Sequence, residues 1–356
     1  MRANTVISRR GFLRTAGTFV LLGGLGACAR SHVEDRVARP TSESNALTVF
    51  ATTAFLGDIV RNVVPEADLT VMVGSGGNAH TYEPNTRDLA GIQSSKVVLW
   101  MSPQLESLMD EQLEAQDPRQ FAVMQAVTDV DALLLPTEKT WLGDTRSQAL
   151  VADPHVWMSP PMWKPVVEAV AERIIAAADP GKADSYRNNA DIYLRRIDEL
   201  DTYIQDQVAA IDEDSRVLIT GYDGFQYFGK TYGFEVHSVQ PSVIERTDDT
   251  AATAVAVTST TPAPDAAPMS ERAKALSDLV MDRHVKTLFA DNIAGKEDVD
   301  AVRQAVRARG GQVAVADREL LVGSLGRTAP LDGYIGALRY NADVLRAGLE
   351  AKKSHA

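Results

Sequence analysis

The chain has 356 residues, 45% of them hydrophobic and 24% charged, with a net charge of −12. That acidity argues against a nucleic-acid surface and against a polybasic membrane patch. Its only cysteine is Cys28, so it forms no internal disulfide and no cysteine-based zinc site, and an exported fold must rest on its core alone.

Ser8-Arg9-Arg10-Gly11-Phe12-Leu13 is a twin-arginine pattern. The apolar run from Phe19 to Leu25 that follows is too short to span a bilayer, which takes about 20 residues. It closes on Leu25-Gly26-Ala27-Cys28, a sequence similar to the lipobox of bacterial lipoproteins. Residues 1–27 are therefore expected to be a Tat-type lipoprotein signal peptide, with Cys28 the lipidated residue. The first 27 residues hold four arginines and no acid, so the remaining 329 residues carry −16 and are long enough for two domains. Residues 28–45 are polar and read as a tether.

The elements then alternate. Ala46 to Ala51 is a predicted strand, and Phe55 to Val64 a helix with Leu56, Ile59, Val60 and Val63 at helical spacing. Leu69 to Val73 is a strand leading through Gly74-Ser75-Gly76-Gly77 to His80. Asp88 to Gln93 is a short helix, Lys96 to Trp100 a strand, and Pro161 to Ala178 an amphipathic helix. Asp179-Pro180 opens a helix running to about Ile211, with Tyr186, Ala190, Tyr193, Ile197, Leu200, Ile204, Val208 and Ile211 as one apolar stripe. Thirty such residues are roughly 45 Å long. A coiled-coil partner is one reading; a rigid spine between two lobes fits better, because strand and helix alternate again beyond it. Strands follow at Arg216 to Thr220, Glu235 to Val239, Val285 to Ala290 and Gln312 to Val315. Helices follow at Phe225 to Tyr232, Ser270 to Arg283, Lys296 to Arg309 and Asp332 to Glu350. Residues 250–268 are low in complexity and read as a surface insert. The expected fold is α/β in two lobes, each a mostly parallel sheet flanked by helices. The lobes are 46–178 and 213–356, joined by one long rigid helix at 179–212.

Two of the six histidines sit in dense motifs: His80 in Asn78-Ala79-His80-Thr81-Tyr82-Glu83-Pro84, and His155 in Asp153-Pro154-His155-Val156-Trp157. Neutral imidazole is the commonest protein ligand for a transition metal, which points to a metal site built from two distant loops. Glu83 reads as a brace for the His80 loop, and Tyr82 and Trp157 as core or cleft wall. His237, at a strand end, is a further candidate ligand.

These motifs, with Val217-Leu218-Ile219-Thr220, Phe225-Gln226-Tyr227-Phe228, Tyr334 and Arg339-Tyr340-Asn341, resemble the metal-binding lipoproteins of ABC-type manganese and zinc importers, the cluster A-I solute-binding proteins. The likeness covers about residues 46 to 350. It implies two α/β lobes on one long helix, with a metal in the cleft and one ligand from each of four loops. His80 and His155 match the first two. The third position, usually His or Glu, is Tyr222 here, with Asp223 next to it. The fourth, an Asp before a Ser/Ala-Leu-Gly turn, falls on Gly323, with Asp317 six residues earlier. Asp223 and Asp317 are the candidate replacements, though each also reads as a solvated loop carboxylate. Tyr222 would be an unusual donor, because a phenol has a pKa of about 10.

Two imidazoles with oxygen donors lean toward Mn²⁺, and a third imidazole toward Zn²⁺. The expected function is capture of a divalent metal, manganese or zinc, outside the membrane for delivery to an ABC permease and ATPase. The implied body is a lipid-anchored monomer on the extracytoplasmic face. The alternatives are an adhesin-like or structural lipoprotein with a degenerate site, or a metal chaperone. An enzyme is disfavoured: there is no His-Glu-x-x-His, no Gly-x-Ser-x-Gly and no P-loop.

Overall fold

The structure is a computed structural model that describes residues 46–109, 112–113, 117–126, 133–136, 150–240 and 269–350. The leader, Cys28, the tether and the insert at 250–268 lie outside those residues.

The N-terminal lobe opens with β1 (Thr48–Thr53), buried on both faces from Val49 onward, as expected for a central parallel strand. Thr53 caps α1 (Ala54–Val63), its hydroxyl accepting from the Leu56 N–H. β2 (Asp68–Val73) pairs with β1 in parallel, Thr53 opposite Val73, so the loop carrying His80 leaves the carboxyl edge of the sheet. α2 (Thr86–Ser94) starts in a reciprocal box in which Asn85 accepts from Arg87 and Asp88 while Asp88 accepts from Asn85. β3 (Val97–Trp100), β4 (Gln120–Ala122) and the short α3 (Val123–Ala126) complete a parallel sheet of order β2-β1-β3-β4. β5 (Leu134–Pro136) and β6 (Leu150–Ala152) form a small antiparallel pair that feeds the His155 loop and that periodicity did not predict. α4 (Pro160–Ala177) closes the lobe.

The predicted spine is present, with one difference at its start. Pro180–Lys182 form a 3₁₀ turn, Asp179 capping the Gly181 N–H, and the α-helix proper, α5, runs Ala183–Ala209. Its 27 residues span about 40 Å. All eight stripe residues named from periodicity are buried. α5 packs on α1 and α4 of the first lobe and on α9 of the second, so it joins the two lobes.

The C-terminal lobe comprises β7 (Val217–Tyr222), α6 (Gln226–Tyr232), β8 (Glu235–Gln240), α7 (Met269–Asp282), β9 (Thr287–Leu288), α8 (Lys296–Ala308), β10 (Ala314–Val315) and α9 (Tyr334–Leu349). β7 pairs with β8 and β9 with β10, all parallel, and a parallel bridge from Thr220 to Phe289 joins the two pairs. The resulting order β8-β7-β9-β10 repeats that of the first lobe. β9 is shorter than expected because Asp291 turns the chain: its Oδ1 accepts from the backbone N–H groups of Ile293 and Ala294. Along β7, Leu218 and Tyr222 face a core shared with the first lobe, while Val217 and Ile219 face a second core under α7 and α8.

Candidate metal centre

His80 and His155 leave the first lobe at the carboxyl ends of its strands, and Tyr222 ends β7 of the second. Ligand sites of open α/β sheets form at those strand ends. The three rings cluster, with centroids 5.4 Å apart for His80–His155, 5.5 Å for His155–Tyr222 and 5.9 Å for His80–Tyr222. The two histidine Nε2 atoms face each other at 3.4 Å, and the Tyr222 hydroxyl lies 3.3 Å from the His155 Nε2.

Each imidazole is oriented from behind. His155 Nδ1 lies 2.7 Å from the Asp153 carboxylate, which also accepts from the His155 backbone N–H at 2.9 Å. Asp153 thus shapes the turn and holds the ring through its Nδ1, with Nε2 turned toward His80 and Tyr222. Its second oxygen is buried without a hydrogen-bond partner. Gln104 plays the matching part for His80 through its backbone carbonyl. Burial, with the neighbouring His155, pushes the His80 imidazole down to about 3. This burial favours the neutral form of His80.

The loops are held in turn. The His80 backbone N–H donates to Asn78, and Tyr82 donates to Asp88 at the start of α2. Asp88 rather than the exposed Glu83 braces this loop. Behind Gln104, the buried Glu106 accepts from Thr52 and from the Met101 and Ser102 backbones. Burial raises its carboxyl to about 6. Trp157 stacks on Phe55 at 4.7 Å and donates to the Val322 carbonyl across the lobe boundary. Tyr334 donates to the Trp157 carbonyl, and Tyr227 to that of Asp153.

The expected set His80, His155, Asp223 and Asp317 does not assemble. Among the described residues no group of three or more His, Cys, Asp or Glu side chains is placed to hold one metal. Asp317 is exposed in the turn after β10. Asp223 is buried beside the pair, not solvated, and accepts from Gln226 at 2.7 Å; burial raises its carboxyl to about 6. His237 pairs with Ile219, three positions back from the end of β7, and is engaged by Glu235. At some 3.3 Å per residue that is about 10 Å from Tyr222. Tyr222 takes the third place, and burial and then the carboxylates of Asp153, Asp223 and Asp291 hold its phenol well above 10. At Gly323 a Cβ would sit 2.0 Å from Ile293 Cδ1, so hydrocarbon closes the fourth position.

Sequence reasoning missed three supporting residues, Gln104, Glu106 and Asp291. Only the carboxylate of Asp153, two residues before a histidine, carried a readable signal of support.

Comparison with known proteins gives the family and the fold. Residues 49–348 match the family described as ZnuA, zinc-uptake complex component A, periplasmic. The manganese-binding lipoprotein MntA of Bacillus subtilis is 27% identical over 313 residues, 87% of this chain and 92% of its own. The iron-binding protein YfeA of Yersinia pestis is 23% identical over 340 residues, 95% of this chain and 96% of its own. The solved structure of the periplasmic zinc-binding protein TroA of Treponema pallidum matches with a TM-score of 0.72 at 25% identity, covering 86% of this chain and 100% of that one. With the two-lobe fold, the spine and the paired histidines all in place, the chain belongs to the ZnuA family of cluster A-I metal-binding solute-binding proteins.

Proposed function

We propose that this chain captures a transition-metal cation outside the cytoplasmic membrane and hands it to an ABC permease and its ATPase. The ion would sit between His80 Nε2 and His155 Nε2, with Tyr222 and Asp223 the nearest donors from the second lobe. One observation carries the reading. The Asp153 carboxylate engages His155 Nδ1, and the Nε2 atoms of the two histidines face each other across 3.4 Å. A cation between two such nitrogens would accept a lone pair from each. Two nitrogens each about 2.0–2.1 Å from one tetrahedral ion stand about 3.4 Å apart.

The relatives' names span manganese, zinc and iron, and the proposal takes a first-row metal as its class. Lipidation at Cys28 would keep the protein beside its permease, and a monomer suffices for that delivery. Among the described residues no helix is long and apolar enough to cross a membrane. Calorimetric titration of wild type, His80→Ala and His155→Ala with Mn²⁺ and Zn²⁺ tests the site. Each variant is expected to lose at least about 100-fold in affinity, more than the loss of a supporting residue costs. Equal binding by all three proteins would refute the assignment.

A further inference from the structure

The third donor is the chain's own departure from the ligand set its family resemblance implies. We infer that Tyr222 is the metal-selecting residue, its phenolate oxygen completing a two-nitrogen, one-oxygen face that favours ferric iron over Mn²⁺ and Zn²⁺. The inference rests on the metal-capture reading above and names the cargo of that site.

The geometry places Tyr222 as a donor and not as a wall. Its hydroxyl lies 3.3 Å from His155 Nε2, nearly the same separation as the two nitrogens, so the oxygen stands beside His155 as a neighbouring donor would. The Tyr222 and His155 rings meet at 73° with their centroids 5.5 Å apart. β7 fixes its place, since the Tyr222 backbone N–H donates to Asp291 at 2.8 Å. Gly224 keeps the approach close, because a Cβ there would meet Val322 at 2.4 Å and His155 at 3.4 Å.

Charge and hardness then choose the ion. A phenolate is a hard anionic donor, suited to a small ion of high charge. Asp153 and Asp223 are buried close by, so the surroundings favour a third positive charge. A carboxylate at the fourth position would have favoured manganese, but Ile293 fills that space beside Gly323. On binding, ferric ion leaves its carrier chelate, the Tyr222 oxygen–iron bond forms, and the phenolic proton passes to water. No electron is transferred.

The test adds ferric citrate to the metal-free protein and records visible absorption, because tyrosinate bound to ferric iron gives a charge-transfer band. Wild type is expected to show the band. Tyr222→Phe is expected to lack it and to bind ferric ion at least about tenfold more weakly, a typical scale for one altered donor environment. Its far-ultraviolet circular dichroism should match that of wild type, which shows that it is folded. Tyr222→Glu, which keeps an oxygen donor, is expected to lose the colour and gain preference for Mn²⁺. A wild type that binds Zn²⁺ or Mn²⁺ through His80 yet gives no band overturns the ferric inference and leaves the metal-capture reading standing. A band that survives in Tyr222→Phe also overturns it. A wild type that binds no ion at all overturns both.

Discussion

The Asp153 carboxylate holds His155 Nδ1 and so turns Nε2 toward His80. One oxygen accepts from both the ring and the backbone of His155, and the other is buried with no partner. Asp153→Asn keeps the shape but removes the charge. The ring then loses the anion that holds its Nδ1 proton. Metal affinity is expected to fall about 10–100-fold, read by competition against a chelator, with the far-ultraviolet circular dichroism unchanged. Unaltered affinity would reduce Asp153 to a turn former. His80 and His155 were legible as a candidate pair because their motifs are local. The engaged partner of His80 was not, because Gln104 contributes a backbone carbonyl, which leaves no mark in side-chain chemistry. Asp223 was misjudged as solvated for a related reason. Nothing in Gly221-Tyr222-Asp223-Gly224 reveals that His155 and Val322 close over it.

At the scale of elements, long amphipathic helices were read within a residue or two, apart from the start of the spine, since an apolar stripe over seven turns has few rival explanations. The pairs β5–β6 and β9–β10 were missed or overextended because strands of two or three residues carry no period. Their limits come from tertiary bonds, such as the Asp291 turn. The loop after β10 shows how an element closes a ligand position. Asn292 accepts from the backbones of Val322 and Gly323 and donates to Ser324, which pins the loop against Ile293. Gly323→Asp alone is therefore expected not to restore a fourth ligand. It should instead destabilise the chain by about 1–3 kcal/mol through overpacking. Adding Ile293→Ala is expected to recover part of that loss and to admit the carboxylate, raising Mn²⁺ affinity. Urea unfolding and metal titration of the single and double variants measure both effects. A single variant as stable as wild type would mean that the loop yields freely.

The whole molecule unfolds as its core dictates. One apolar cluster runs from Val49 and Leu56 through Trp157 and the α5 stripe to Leu218, Phe225 and Leu338, so the two lobes are not separately solvent-tight. Cross-boundary bonds tighten it: Ser75 donates to the Gly326 carbonyl and the Gly76 N–H to Ser324. Tyr193 on the spine donates to Asp58, whose carboxyl is raised mainly by burial. Such a body resists hinge opening, and release would instead work through the loops around Ser75 and Ser324. It also means that a buried charge in either lobe weighs on a single unfolding transition. Glu106 is such a group, its carboxyl raised by burial from 4.5 to about 6. A raised carboxyl contributes stability that is full below about 4.5 and lost as pH rises through about 6, because the folded state holds the proton longer. His80 works the opposite way in the same window. Held near 3, it refuses a proton that the unfolded chain accepts below 6.5. The raw pH profile therefore mixes opposing contributions, and only a difference isolates one. The stability of metal-free wild type minus that of Glu106→Gln is expected to shrink by about 1–2 kcal/mol between pH 5 and pH 7.5, following roughly 1.4 kcal/mol per unit. Urea unfolding in the presence of a chelator measures it. A difference that stays constant across that range would place the Glu106 proton elsewhere. The His80 contribution cancels between the two proteins only if Gln104 keeps its place in the variant, which unchanged Zn²⁺ affinity at pH 7.5 would verify.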